Sequence, residues 1–115
     1  MPFDGTPQFG DVLLVPFPFT NQQTTKQRPV VVVSTSAYAQ ACPDVVLMAI
    51  TSQVRTPLSF GEVLLADWQA TQLLKLSVVK PLLATLEQNL IIRHLGTLSS
   101  GDQVALRNAL ARILG

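Results

Sequence analysis

Apolar residues come in short blocks along this chain, separated by polar, proline-bearing stretches, and a helical period emerges only near the C-terminus. In GDVLLVPFPF (Gly10–Phe19), Leu13, Val15, Phe17 and Phe19 recur at every second residue, the period of a strand with one apolar face. Pro16 and Pro18 fall on the opposite face without an N–H to give, so this strand should end early or lie at an edge. TNQQTTKQRP (Thr20–Pro29) is polar and aperiodic, and it reads as a loop. It is longer than a tight hairpin turn of about two to five residues, and such loops often carry function. VVVVS (Val30–Ser34) and DVVLMAIT (Asp44–Thr51) are short, β-branched and unbroken, as strands buried on both faces are.

Between those two runs, TSAYAQAC offers Thr35 or Ser36 as a cap followed by alanines, which predicts a short helix. FGEVLL (Phe60–Leu65) and SVVK (Ser77–Lys80) predict further strands, and DWQATQLL a helical turn capped by Asp67. In SSGDQVALRNALARILG, Ser100 and Gln103 have capping-box spacing, and Leu106, Leu110, Ile113 and Leu114 form one apolar stripe. With no repeats, low-complexity tracts or linkers, the expectation is one domain over 1–115. Its fold class is mainly β (α+β), a small curled barrel with short helices and a C-terminal α-helix packed on it.

Composition narrows the partners. At 115 residues and 48% hydrophobic, the chain can bury a real core, and disorder is excluded as a description. Charged residues make up 13%, against a usual ~25%, which suggests that some surface is covered by a partner. The net charge of +1 gives no sign of bulk nucleic-acid binding, so any phosphate contact has to come from a local cluster. The lone Cys42 excludes an internal disulfide and suits a reducing cytoplasm. MPFDGTPQFG lacks a secretory pattern, and no apolar run approaches the ~18 residues of a membrane span.

Exclusion also narrows the chemistry. A single histidine, His94, leaves no paired-histidine acid–base site within one chain, and His94, Cys42 and the scattered carboxylates show no zinc-ligand spacing. Phosphate loops, nucleophile elbows and dinucleotide fingerprints are missing. QACPD reads as a helix end and turn, which argues against a Cys42–His94 nucleophilic pair. What remains is Lys26 and Arg28 on the loop, with Thr51, Ser52 and Gln53 at the end of a buried strand. Groups on a loop beside a rigid strand end commonly build a site. On residue chemistry alone, however, the plainer reading is favoured, Arg28 as a solvated charge and Thr51 as a plain strand end.

Taken in order, GDVLLVPFPFT…KQRPVVVVS, VLMAITSQ and LSVVK…ATLEQNLIIRHLGTLS resemble the MazF/PemK family of toxins from type II toxin–antitoxin modules, from Gly10 to about Leu114. The resemblance implies an SH3-like barrel that pairs as a homodimer, and an endoribonuclease acting on single-stranded RNA at a short recognition sequence. It also implies a cognate antitoxin partner and no cofactor or metal. The ribose 2′-OH would attack the adjacent phosphate, leaving a 2′,3′-cyclic phosphate and a 5′-OH.

The same resemblance makes Arg28, in the RP motif, and Thr51, ending the AIT strand, the catalytic residues. A guanidinium fork can give bidentate bonds to the extra charge on a pentavalent phosphorane. Because guanidinium stays protonated at working pH, Arg28 suits a clamp or a donor to the leaving oxygen better than a general base. A threonine hydroxyl both donates and accepts, so Thr51 can orient the 2′-OH or bind a phosphoryl oxygen. Lys26, Ser52, Gln53, Arg55 and Lys80 are candidate RNA-binding residues, each with an ordinary surface role as its rival reading. Asp11 is expected to be structural or to pair with Arg28. Phe17 and Phe19 are expected in the core, and Trp68 at a groove or interface.

The chain departs from the family pattern in two places. No acid stands between Thr20 and Arg28, where some relatives place a candidate proton acceptor, and leucines stand at 82 and 83, where an acid is common. These gaps keep an alternative open, a weak or inactive homologue that mainly binds antitoxin or RNA. An SH3-like peptide-binding module is a third reading, which predicts an aromatic-lined groove.

Overall fold

The computed structural model describes residues 5–16 and 26–115. Phe17, Pro18, Phe19 and the polar stretch from Thr20 to Thr25 lie outside the described residues. Six strands form one antiparallel sheet: β1 (Asp11–Pro16), β2 (Gln27–Val32), β3 (Asp44–Thr51), β4 (Val63–Leu64), β5 (Val78–Glu87) and β6 (Arg93–Thr97). Their order is β4-β5-β3-β2-β1-β6. Helix α1 (Ser36–Ala41) links β2 to β3, and helix α2 (Ser100–Leu114) ends the chain. The expected curl is present as a half-barrel, with β4 and β6 as its outer strands.

The valine run is explained by burial on two sides. Val31 packs with Val12, Met48, Ile50, Val79, Leu95 and the α2 residues Leu106 and Ala109. Its neighbours Val30 and Val32 point the other way, into a second cluster with Leu13, Val15, Val45, Leu47, Leu86 and Ile91. A strand with a core on each face has no polar side to show, so its sequence does not alternate.

Several boundaries differ from the expectations. β2 starts at Gln27, so Arg28 and Pro29 are strand residues and not loop residues; Val15 pairs with Arg28 and Leu14 with Pro29. β5 runs on through Glu87, past Pro81 and well beyond the expected Ser77–Lys80. The reason is a bulge: Ile50 pairs with Val79 and Met48 with Leu83, so Lys80, Pro81 and Leu82 stand against Ala49 alone. Pro81 lies within that irregularity, where a missing N–H costs little. β6 was not foreseen, because RHLGT carries an arginine, a histidine and a glycine in place of β-branched residues. The FGEVLL strand shrinks to two residues, Val63 and Leu64.

Caps shift as well. Thr35 caps α1, its Oγ1 accepting the Tyr38 N–H at 3.1 Å. The cap of α2 is Ser99 and not Ser100, its Oγ accepting the Asp102 N–H. Gln103 instead donates from Nε2 to the Leu98 carbonyl. Asp67 precedes the 3₁₀ turn Trp68–Thr71 but makes no side-chain cap bond. Leu114 is 68% exposed and falls off the stripe, which is carried by Leu106 and Ala109, with Leu110 and Ile113 partly buried. Trp68, expected at a groove or interface, is partly buried and packs against the α2-side core.

The 3₁₀ turn seals the sheet beside β6. Gly96 has φ +158, and a Cβ there would lie 2.8 Å from the Thr71 Cα and 2.9 Å from the Ala70 carbonyl oxygen. Glycine is therefore the residue that lets the turn approach β6 so closely.

Candidate functional site

A cleft of about 660 Å³ opens where β2 begins and β3 ends. Arg28, Pro29 and Val30 contribute from β2, Ala49, Ile50 and Thr51 from β3, and the loop Gln72–Lys75 faces them. The β2–β3 ladder pairs Val30 with Ala49. Carrying that register two residues on brings Arg28 level with Thr51, and the two-residue period puts both on the face of Val30 and Leu47. The sheet thus presents a guanidinium and a hydroxyl together, each on a strand anchored in the core. Thr51 Oγ1 accepts the Gln53 N–H at 3.1 Å, which fixes the oxygen and leaves its own O–H to donate.

The β5 bulge contributes next. It turns both Lys80 and Leu82 into the cleft lining, as bulges beside sites commonly do. Lys80 Nζ lies 3.6 Å from Glu62 Oε2, with about half of its side chain exposed, so the pair adds little to stability. Ser52 and Gln53 also line the cleft. Arg55 lies instead in an adjoining cavity of about 230 Å³, shared with Thr51, Gln53 and Lys80. Lys26 is exposed just before β2 and lines neither cavity.

Two cations escaped sequence reasoning. Lys75 and Arg93 both line the cleft, and β6 sets Arg93 opposite Leu14, which itself pairs with Pro29 on its other side. A signal was present: Arg93 interrupts the apolar run LIIRHL, as Arg28 precedes the valines. Arg28, Lys75, Lys80 and Arg93 are four of the chain's eight Lys and Arg residues. Among the described residues, no carboxylate and no imidazole lines this cleft. A local cluster of cations therefore stands here, on a chain whose net charge is only +1.

Asp11 takes the structural role. It is buried, accepts the Gln8 N–H and the Thr97 hydroxyl, and stands 3.4 Å from His94 Nε2. It ties the start of β1 to β6 and does not reach for Arg28.

Residues 8–114 match a family model described as the PemK-like, MazF-like toxin of type II toxin–antitoxin systems. No curated protein matches the chain. Among solved structures, an endoribonuclease from a mycobacterial species superposes with a TM-score of 0.76 at 23% identity, covering 98% of this chain and 95% of that one. A mycobacterial endoribonuclease in complex with its cognate antitoxin gives 0.74 at 20%, covering 96% and 95%. The MazE–MazF complex of Deinococcus radiodurans gives 0.75 at 20%, covering 97% and 98%. At such identities these structures establish the shared fold.

Proposed function

Because the chain belongs to the PemK-like, MazF-like family of toxins of type II toxin–antitoxin systems, we propose that it is a metal-independent endoribonuclease of such a module, cutting single-stranded RNA with a sequence preference. The observation that carries this reading is the cleft, with four cations, no carboxylate and the Thr51 hydroxyl at the end of a rigid strand. Such a surface attracts a polyanion and favours charge that builds on a phosphoryl group.

In the proposed reaction the substrate's 2′-oxygen attacks phosphorus and loses its proton, while the P–O5′ bond breaks and the leaving oxygen gains one. Arg28 grips the non-bridging oxygens of the phosphorane, and Thr51 orients the 2′-OH or holds a phosphoryl oxygen. Lys80, Lys75 and Arg93 hold flanking phosphates, while Ser52, Gln53 and Arg55 meet the strand beside the cut. Lys26, outside both cavities, serves at most as a peripheral phosphate contact. The protein works as a homodimer in the cytoplasm, as a single domain, until an antitoxin covers it. Leu74, 91% exposed, and Leu82, 51% exposed, stand in the cleft lining beside the cations. That combination suits an extended partner tail with apolar and acidic side chains.

The direct test is incubation of purified protein with long single-stranded RNA in EDTA. Products should end in a 2′,3′-cyclic phosphate and a 5′-OH. Arg28→Ala and Thr51→Ala should lose cleavage with fold and association intact; unchanged cleavage would refute the assignment. One observation favours a second reading, a homologue that binds antitoxin or RNA but cuts slowly: the cleft offers no carboxylate or imidazole to take the 2′-OH proton. Tight antitoxin binding with no cut RNA would establish that reading instead.

A further inference from the structure

The smaller cavity differs from the cleft in charge and shape. It is lined by Thr51, Gln53, Arg55, Ser59, Glu62 and Lys80, every one polar. Glu62 is the feature that the cleft lacks, a carboxylate whose Oε2 stands 3.6 Å from Lys80 Nζ. Its side chain is only 11% exposed, and Oε1 accepts the Ser59 N–H at 2.8 Å while the Ser59 carbonyl accepts the Glu62 N–H at 3.1 Å. That reciprocal pair fixes the carboxylate before any ligand arrives. A fixed carboxylate accepts N–H donors, which a base edge offers and a phosphoryl group does not. At about 230 Å³ the cavity lies below the roughly 300–1,000 Å³ of sites for whole drug-sized ligands. It suits a fragment such as one planar base.

We propose that this cavity is a base-reading subsite that holds one nucleobase flanking the scissile phosphate and prefers a base with an exocyclic amine over uracil. Its placement follows from the shared walls: Thr51, Gln53 and Lys80 line both cavities, so a strand whose phosphate sits at Thr51 has its neighbouring base at the smaller opening. Glu62 accepts the amine N–H of cytosine or adenine, or the N1–H and N2–H of guanine, as carboxylates do with base edges. Arg55 and the Gln53 amide donate to the ring nitrogen or carbonyl beside it. Uracil presents a single N–H between two carbonyls, and both carbonyls face the carboxylate unfavourably. Discrimination of about tenfold is the scale for one such polar mismatch.

The inference rests on the nuclease reading for its biological meaning, but its test does not need catalysis. The 3′-monophosphates of adenosine, cytidine, guanosine and uridine are titrated into the intact protein, with inorganic phosphate as a control, while the backbone amides of Ser59 and Glu62 are followed by NMR. The three amine-bearing nucleotides should shift those amides and bind about tenfold more tightly than the uridine one. Glu62→Gln, which keeps an acceptor for the Ser59 N–H, should level the series. Four equal affinities, shifts produced by phosphate alone, unmoved Ser59 and Glu62 amides, or selectivity that survives Glu62→Gln would each overturn the subsite.

Mapping the 5′ ends of cut RNA gives the second arm. The wild type should disfavour uridine at one position beside the cut, and Glu62→Gln should relax that position alone. A uniform loss of cutting in Glu62→Gln with an unchanged base profile would overturn the proposal, since Glu62 would then act on the reaction and not on the base. Selective nucleotide binding with no RNA cleavage would strike the nuclease reading and leave the subsite standing. Cleavage without any base preference would do the reverse.

Discussion

The wall of the cleft built by β2 and β3 and the wall built by residues 52–77 differ in what holds their backbones in place. On the strand side, Val30, Val31, Val32, Leu47 and Met48 are all fully buried, in two clusters on opposite faces of the sheet. On the loop side the only regular strand is two residues long, and Leu58, Phe60, Leu74 and Leu76 are exposed. A few anchors hold that loop: the buried Leu65, the Thr71 hydroxyl donating to the Trp68 carbonyl, and the Asp102 carboxylate accepting the Ala66 and Asp67 N–H groups. The difference suggests a division of labour. Under the proposed function, Arg28 and Thr51, which meet the reacting atoms, stand on the strand wall, and Ser52, Gln53, Arg55 and Lys75, which meet the rest of the ligand, stand on the loop wall.

Four experiments would break or sharpen that contrast. Met48→Ala on the strand side should lower unfolding free energy by about 2–5 kcal/mol, as lost burial and a cavity require. Leu74→Ser on the loop side should change it by no more than about 0.5 kcal/mol. Denaturant titration of both variants reads the difference, and equal effects would abolish the distinction. Arg28→Ala should slow RNA cleavage by about 10²–10³-fold, the scale for removing one preorganised charge-stabilising donor, with an unchanged denaturation midpoint.

Arg93→Ala should act more mildly, weakening single-stranded RNA binding severalfold and reducing the slope of log affinity against log salt by about one. A lost turnover rate with unaltered binding would move Arg93 from holding the strand to the chemistry. The smallest effect is expected at Gln72, a cleft residue in the left-handed region at φ +58. Gln72→Gly should raise stability by up to about 1 kcal/mol by relieving that conformation, as thermal unfolding would show.

The strand side was legible in the sequence because burial writes itself into composition. β1, β3 and the valine half of β2 are apolar and rich in β-branched residues, which suits a buried strand at that length. The loop side was not legible, since its geometry depends on where distant groups sit. Nothing local announces that Asp102 will bind the 66–67 backbone, or that Gly96 will admit the 3₁₀ turn. β5 was half legible: Ser77–Lys80 declared a strand, while Pro81 gave a stop signal that a bulge overrode. At the site, Arg28 and Thr51 stood out through family motifs, and the structure adds that both line one cleft. Lys75 and Arg93 needed the fold, because nothing in their spacing connects them to Arg28. Glu62 needed it most, being an acid that takes on meaning only beside Thr51 and Lys80.

The double burial of β2 bears on how such a protein can diversify. Val30, Val31 and Val32 cannot change without disturbing one core or the other, so the half of the strand that anchors Arg28 is closed to experiment by mutation. The 52–77 segment is restrained at fewer points, Val63, Leu65 and Thr71 among them, and its exposed positions can change without unfolding the molecule. New preferences in what the cleft accepts therefore have an open route through the loop and a barred one through the sheet. A lineage can rewrite what it reads while the apparatus beside it stays fixed.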